Sequence, residues 1–415
     1  MSATLPAVGV HDEVSPLRRV IVHRPGPELA RLTPDTHDDF LFDEVLWLDR
    51  AREEHDAFSA LLRAEGADAL LLTDLLREVC EIPEARSELL AETLSAQVFG
   101  DIAAQDLTEA LEALPSAALV DVLMAGITRG ELEALGAPLR SISLQMAAPR
   151  DLVLDPLPNH LFTRDTSAWI GGAVAVNRMR LPARRRESAH LRMIYRHHPL
   201  FAGADGTGAT LHTDGLSGAR TAVEGGDVML LSEGTVAIGL SERTGAAGVE
   251  RLAGTILADG AAERVIAIAM PHQRSMMHLD TVMTVVDRES MVRFGLLPAL
   301  ETFEIRRQGD RLVTRARGAD EMDAVLASAM GVPSLRVLTP PLDEYAAARE
   351  QWDDGCNVLA VAPGRVIAYE RAAQTNDYLR GEGVEVLEIA GGELGRGRGG
   401  PRCMSCPVLR TPSQD

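Results

Sequence analysis

A unit of strand, tight turn, strand, helix and strand recurs along the second half of the chain. It limits the possible folds more than any other feature. In the first copy, residues 166–170 and 173–177 read as strands around Gly171-Gly172, with a helix over 182–197. The second has strands at 228–231 and 236–240 around Glu233-Gly234, a helix at 245–258 and a strand at 264–267. The third begins with a strand at 281–286, turns near Arg288-Glu289 and continues at 291–294. The last has strands at 358–362 and 366–369 around Pro363-Gly364, a helix at 371–380 and a strand at 384–389. Val- and Ile-rich runs bounded by turn residues carry these assignments. A single unit leaves a sheet face uncovered, so the copies should pack around a shared centre. With residues 17–23 as a degraded member, about five units fit. The alternative is an ordinary α/β sheet with coincidental spacing.

A helix is expected over 47–64, closed by Gly66. Residues 71–145 have a different texture: Leu and Ala dominate and the pattern is helical throughout. They read as a helical subdomain inserted into an α/β domain built from residues 1–70 and 146–415. A separate N-terminal helical domain is the alternative. The strand at 17–23, ahead of the helices, favours insertion.

Composition removes several function classes. A net charge of −20 and a pI near 5.0 argue against nucleic acid as the main partner, but allow a small cationic substrate. No apolar run reaches the roughly 18 residues that would cross a bilayer. The stretch from Met1 to Glu13 lacks the pattern of a secretory signal. Four irregularly spaced cysteines do not make a disulfide framework, so a reducing cytoplasm is expected.

The residues just before the first strand of each unit should meet at one end of the assembly. They are Arg164-Asp165, Glu224-Gly225-Gly226-Asp227, His278-Leu279-Asp280 and Asp353-Asp354-Gly355. Each has a bland reading: Asp165 as a turn residue, the glycines as ordinary turn formers, His278 as a structural histidine paired with an acid. Recurrence at equivalent places favours a shared site. On a strand edge, His278 and Asp280 would point to one side.

The C-terminal segment Gly395-Arg396-Gly397-Arg398-Gly399-Gly400-Pro401-Arg402-Cys403-Met404-Ser405-Cys406 reads as a site loop or as a frayed glycine-rich tail. The apolar Pro407-Val408-Leu409 that follows argues against fraying, and nearby arginines would favour a thiolate. Cys403 and Cys406 form a C-x-x-C, but the strand and helix context of a redox dithiol is missing, and no second close pair completes a zinc site. One cysteine as nucleophile with His278 as acid/base is the better fit. Several carboxylates around a nucleophile suit a cation, and a planar guanidinium matches their geometry.

With these residues in place, the chain resembles the bacterial arginine deiminases of the guanidine-modifying pentein superfamily. The resemblance rests on Leu41-Phe42-Asp43-Glu44, Phe162-Thr163-Arg164-Asp165, Glu224-Gly225-Gly226-Asp227, Met277-His278-Leu279-Asp280-Thr281, Arg349-Glu350-Gln351-Trp352-Asp353-Asp354-Gly355 and the glycine-arginine run before Cys403-Met404. It implies a five-bladed α/β propeller with a helical insertion. It also implies hydrolysis of free L-arginine to citrulline and ammonia through a covalent amidino thioether. Cys403 would be the nucleophile and His278 the acid and base. Asp165 and Asp280 would hold the guanidinium, and Glu224 would orient His278. Arg184, Arg243 and Arg398 resemble the residues around the α-carboxylate and the mouth of the site. Asn159, Phe162, Asp227 and Gly397 match other substrate contacts. Arg184 belongs to Arg184-Arg185-Arg186, so a shift of one residue would change that choice. The family implies no cofactor and no metal, no membrane partner, and a homodimer or tetramer. An amidinotransferase, or a hydrolase of another guanidine, is the alternative within the superfamily. A non-catalytic arginine binder and a redox protein are the alternatives outside it.

Two physical expectations accompany the resemblance. Acids beside His278 should raise its pKa. The pair Pro401-Arg402, where some members carry smaller or histidine-containing residues, should alter the environment of the thiol.

Overall fold

The computed structural model describes residues 8–202, 208–216 and 221–411. The first seven positions of the stretch examined for a secretory signal therefore lie outside the described residues. The architecture is α/β, with mixed sheets and helices.

Among the described residues, five sheets share one pairing rule: a first strand runs antiparallel to a second, and a third returns parallel to the second after a helix. Ser167–Ile170 pairs antiparallel with Ala173–Val176, and Leu211–Asp214 returns beside the latter after the helix Arg185–His197. Val228–Ser232, Thr235–Leu240, the helix Ala246–Ala258 and Arg264–Ala269 repeat this order. So do Leu359–Ala362, Arg365–Tyr369, the helix Ala373–Gly381 and Glu385–Ile389. The hairpin turns at Gly234 and Gly364 use left-handed backbone, with φ of 77° and 69°, where only glycine is unstrained.

Two units depart from the sequence reading. In the third, Met283–Asp287 and Ser290–Arg293 are followed by an additional hairpin, Thr302–Gln308 with Arg311–Arg317, before the helix Met322–Met330 and the strand Arg336–Leu338. That hairpin leaves its own unit and pairs with Arg264–Ala269 of the second. The fifth unit is complete rather than degraded, because the two ends of the chain build it. Cys406–Arg410 pairs antiparallel with Leu17–Val22, and Asp68–Leu71 pairs parallel with Leu17–Val22 after the helix Leu48–Ala64.

Helices dominate residues 72–146, from Leu72–Cys80 and Pro83–Thr93 to Ile142–Met146, interrupted by the short strand Ile127–Thr128, which pairs with Leu152–Leu154. Pro83 opens its helix where a missing N–H costs nothing. Thr128 and Glu131 form a reciprocal cap on Arg129–Ala134. The first two helices pack on Arg185–His197. Their buried Leu72, Leu76, Leu89 and Leu90 join one apolar core with Trp169 and Tyr195. Among the described residues, no helix is long and apolar enough to cross a membrane.

Candidate active site

The short turns that lead into the units carry the polar side chains. Thr163–Thr166, Gly225–Asp227 and Leu279–Thr281 pack on one another at one end of the sheets. His278 and Asp280 are therefore not on a strand edge. Leu279–Thr281 is a 3₁₀ turn, because the Leu279 N–H donates to Asp227 Oδ1 at 2.9 Å instead of joining a strand ladder. Asp227 also accepts from the Ser241 hydroxyl at 2.7 Å. One of its oxygens thus fastens the turn, while the other is held by Ser241.

His278 lies between carboxylates. Its Nε2 meets Glu224 Oε2 at 2.9 Å and its Nδ1 faces Asp165 Oδ1 at 3.7 Å. Burial alone would lower its pKa, but Asp165, the Glu224 hydrogen bond and Asp227 outweigh burial and raise it to about 9. The raised value favours the imidazolium near neutral pH, with Nε2 donating to Glu224. Glu224 is shifted the opposite way: burial opposes, but His278 and Arg243 hold it down at about 2. The Arg243 Nη1 is 3.8 Å from Glu224 Oε2.

Cys403 is buried, and its Sγ is 3.7 Å from Asp280 Oδ2. Asn357 joins these two residues: its Oδ1 accepts from Cys403 N at 3.0 Å and its Nδ2 donates to Asp280 O at 3.1 Å. The expectation that arginines would favour the thiolate is not met in this arrangement. Burial first, then Asp280, Asp165 and Asp354, push the thiol well above its ordinary value, with Arg402 acting against them. Arg396 and Arg398 turn elsewhere. Arg396 pairs with Glu44, while the Arg398 guanidinium lies 3.5 Å over the Trp352 ring and donates to Trp352 O.

Arg184 is the member of its arginine run that turns inward; Arg185 is exposed and Arg186 donates to Asp155 O. The Arg184 Nη1 is 2.5 Å from Asp165 Oδ2, its Nη2 is 2.9 Å from Glu187 Oε2, and it donates to the carbonyls of Asn159 and Phe162. Asn159 Nδ2 donates to Phe40 O at 2.7 Å. The Phe162 ring stacks on Phe42 at 6.2 Å. Gly397 and Gly399 press against these rings, and a Cβ at either would collide with them. Over this end of the molecule, Asp43 accepts from Arg274 at 2.8 Å and lies 3.7 Å from Arg398 Nε.

The predicted catalytic set therefore converges: Cys403, His278, Asp280, Glu224 and Asp165 come from different units and are all buried. Arg184, Arg243, Asn159, Phe162 and Gly397 line the same cluster. Arg398 borders it, and Asp227 supports it from beneath. Sequence reasoning did not single out Asn357, Glu187 or Arg274, and it named Trp352 only within a matching segment, with no role. Leu41, Asp354 and Arg398 adopt left-handed backbone, with φ of 65°, 61° and 64°, a strain that concentrates around functional sites. Asp354 is buried with one oxygen unpaired, and burial, reinforced by Asp280 and opposed by Arg398, raises its pKa to about 7. Among the described residues, Asp165, Glu224 and His278 form the one acidic-histidine trio close enough to share a cation, but their facing atoms already pair with one another and with Arg184.

Comparison with known proteins gives a consistent result. The family model described as "Arginine deiminase" matches residues 38–410. An arginine deiminase of Rhodococcus jostii (strain RHA1) is 47% identical over 407 residues, 98% of each chain. One of Mycobacterium avium (strain 104) is 47% identical over 408 residues, again 98% of each. Among solved structures, an amidinotransferase of saxitoxin biosynthesis from Microseira wollei aligns with a TM-score of 0.56 at 14% identity, over 99% of both chains. A dimethylarginine dimethylaminohydrolase variant from Pseudomonas aeruginosa, complexed with citrulline, aligns with a TM-score of 0.51 at 14% identity, over 94% of this chain and 98% of that one. At such identity these likenesses establish the fold alone, that of the penteins.

Proposed function

The chain belongs to the arginine deiminase family, and from that premise we propose that it hydrolyses free L-arginine to L-citrulline and ammonia. The observation that carries this reading is the meeting of one thiol, one imidazolium and several carboxylates, drawn from separate units, in one buried cluster.

Asp165 and Asp280 hold the guanidinium by accepting its N–H donors. The cation's charge offsets the carboxylates that keep the Cys403 thiol protonated, so the thiol loses its proton to solvent and the thiolate forms when substrate is seated. Sulfur then attacks the guanidinium carbon. His278 Nδ1, which already faces Asp165, gives its proton to the departing nitrogen, and ammonia leaves. The amidino thioether remains on Cys403. The neutral imidazole takes a proton from water, hydroxide adds to the same carbon, and the C–S bond breaks while the added hydroxyl loses its proton to solvent, which releases citrulline and the thiolate. Glu224 holds the His278 ring through Nε2 in both protonation states. Arg184 and Arg243 take the substrate α-carboxylate, with Arg184 exchanging Asp165 for it. Asn159, Phe162, Asp227, Gly397 and Arg398 shape the remaining contacts. Fixing the amino acid end orients the reacting carbon.

The five strand triplets support a closed five-bladed propeller of residues 1–70 and 146–415, with residues 71–145 as the helical insertion. The four cysteines are free and buried, which fits a cytoplasmic compartment. A homodimer or tetramer is carried over from the family.

The test is product analysis with free arginine. Citrulline and ammonia in equal amounts, lost in Cys403→Ser, support the reading. Ornithine with a new guanidino compound indicates amidino transfer instead.

A further inference from the structure

Asp280 has two oxygens in different situations. Oδ2 faces the thiol and is held by Arg402 Nη1 at 2.8 Å. Oδ1 is buried and has no hydrogen-bond partner. A buried carboxylate oxygen without a donor is costly, and it marks the place where a ligand donor fits.

Arg402 is itself locked. It is 1% exposed, far below what an arginine tolerates without partners. Its Nη2 is 3.2 Å from Glu13 Oε1 and donates to Val228 O at 2.9 Å. Its Nε reaches Glu13 Oε2 at 3.3 Å. Glu13 is fixed in turn by the Leu230 N–H at 3.2 Å. The Arg402 carbonyl accepts from Arg164 Nε at 3.3 Å. Three parts of the chain far apart in sequence thus hold one guanidinium in one orientation. Arg402 also directly precedes Cys403, so the same residue ties the nucleophile to the carboxylate.

We propose that Arg402, clamped by Glu13, is a positioning residue that fixes Asp280 Oδ2 and presents Oδ1 to the substrate guanidinium. The inference rests on the reading of Asp280 as a guanidinium-binding carboxylate. The planar fork of arginine engages Glu13 and Asp280 at the same time, which the single ammonium of lysine cannot do. Without the clamp, Asp280 would be free to rotate and would present no fixed acceptor beside the thiol.

The experiment compares Arg402→Met, Arg402→Lys and Glu13→Gln with the wild type. It measures kcat and KM for arginine, and measures arginine affinity directly in the same substitutions placed on Cys403→Ala. The expected result is a KM and a dissociation constant raised about tenfold or more in Arg402→Met, with smaller rises in Arg402→Lys and Glu13→Gln. A merely structural role would lower kcat through the folded fraction and leave both constants unchanged. Constants within twofold of wild type in all three variants overturn the proposal. If Arg402→Met does not fold, the other two decide by the same criterion. Because affinity is read without turnover, failure of the clamp is distinct from failure of the deiminase reading, which would appear as a wild type that makes no citrulline.

Discussion

The Cys403 thiol and the Asp280 carboxylate face each other at 3.7 Å in a buried site. A sulfur in that position is stable as the thiol, and a cation must arrive before it becomes a nucleophile. Removing the charge of Asp280 should therefore separate reactivity from catalysis. Asp280→Asn is expected to speed alkylation of Cys403 by iodoacetamide at pH 8 by about tenfold, the effect of one pKa unit, while arginine turnover collapses. Mass spectrometry of the Cys403 peptide follows the first and citrulline the second. An alkylation rate equal to or below that of wild type contradicts the assignment.

His278 is expected to set the alkaline limit of turnover. Its pKa is raised from 6.5 to about 9, so its contribution to stability is complete below 6.5 and is lost as pH rises through 9. Turnover should decline over the same range as the imidazolium loses its proton. Glu224→Gln removes one of the partners that raise the value. The alkaline limb of kcat/KM should move down by about 1 pH unit or more. An unmoved limb would show that another group sets it.

At the other end of the scale, His23, His55, His160 and His190 are all buried. Burial, followed by the neighbouring His23, lowers His55 to about 3, and His190 is lowered to about 3 by burial and Arg186. The His55 and His190 rings fold in the neutral form. Their contribution to stability is present above 6.5 and is lost as pH falls from there toward 3. His55→Leu should remove about 2 kcal/mol of the stability loss between pH 7 and pH 5, read from urea midpoints at the two values. Equal pH sensitivity in the two proteins would contradict this.

Gly399 leaves no room for a side chain: a Cβ there would meet the Phe162 ring and lie 3.0 Å from the Cβ of Cys403. Gly399→Ala should displace the nucleophile loop and lower kcat by about 100-fold, the cost of a misplacement near 1 Å. The fold should persist, with thermal melting lowered by the equivalent of about 1–3 kcal/mol. Wild-type kcat in this variant would mean that the loop tolerates the shift.

The repeat was legible because four of the units carry a local hairpin with a turn, as in Val228–Ser232 and Thr235–Leu240. The site followed from it, since Asp165, Glu224 and His278 occupy equivalent positions in successive units. The fifth unit could not be read locally, because Leu17–Val22 finds its antiparallel partner at Cys406–Arg410. The hairpin Thr302–Gln308 with Arg311–Arg317 was missed because its second strand is exposed on both faces and carries no apolar alternation. Glu13 had no signal at all. Its partner Arg402 lies 389 positions away, and only tertiary structure joins them.

The chemistry can be observed most directly by quenching wild-type protein with acid during turnover of excess isotopically labelled arginine and mapping the label. The expected result is a single labelled peptide containing Cys403, its mass increased by that of arginine less ammonia, and no label in Cys403→Ala. Citrulline formed with no adduct at Cys403 at any quench time, or an adduct on another residue, would contradict a covalent thioether at this thiol.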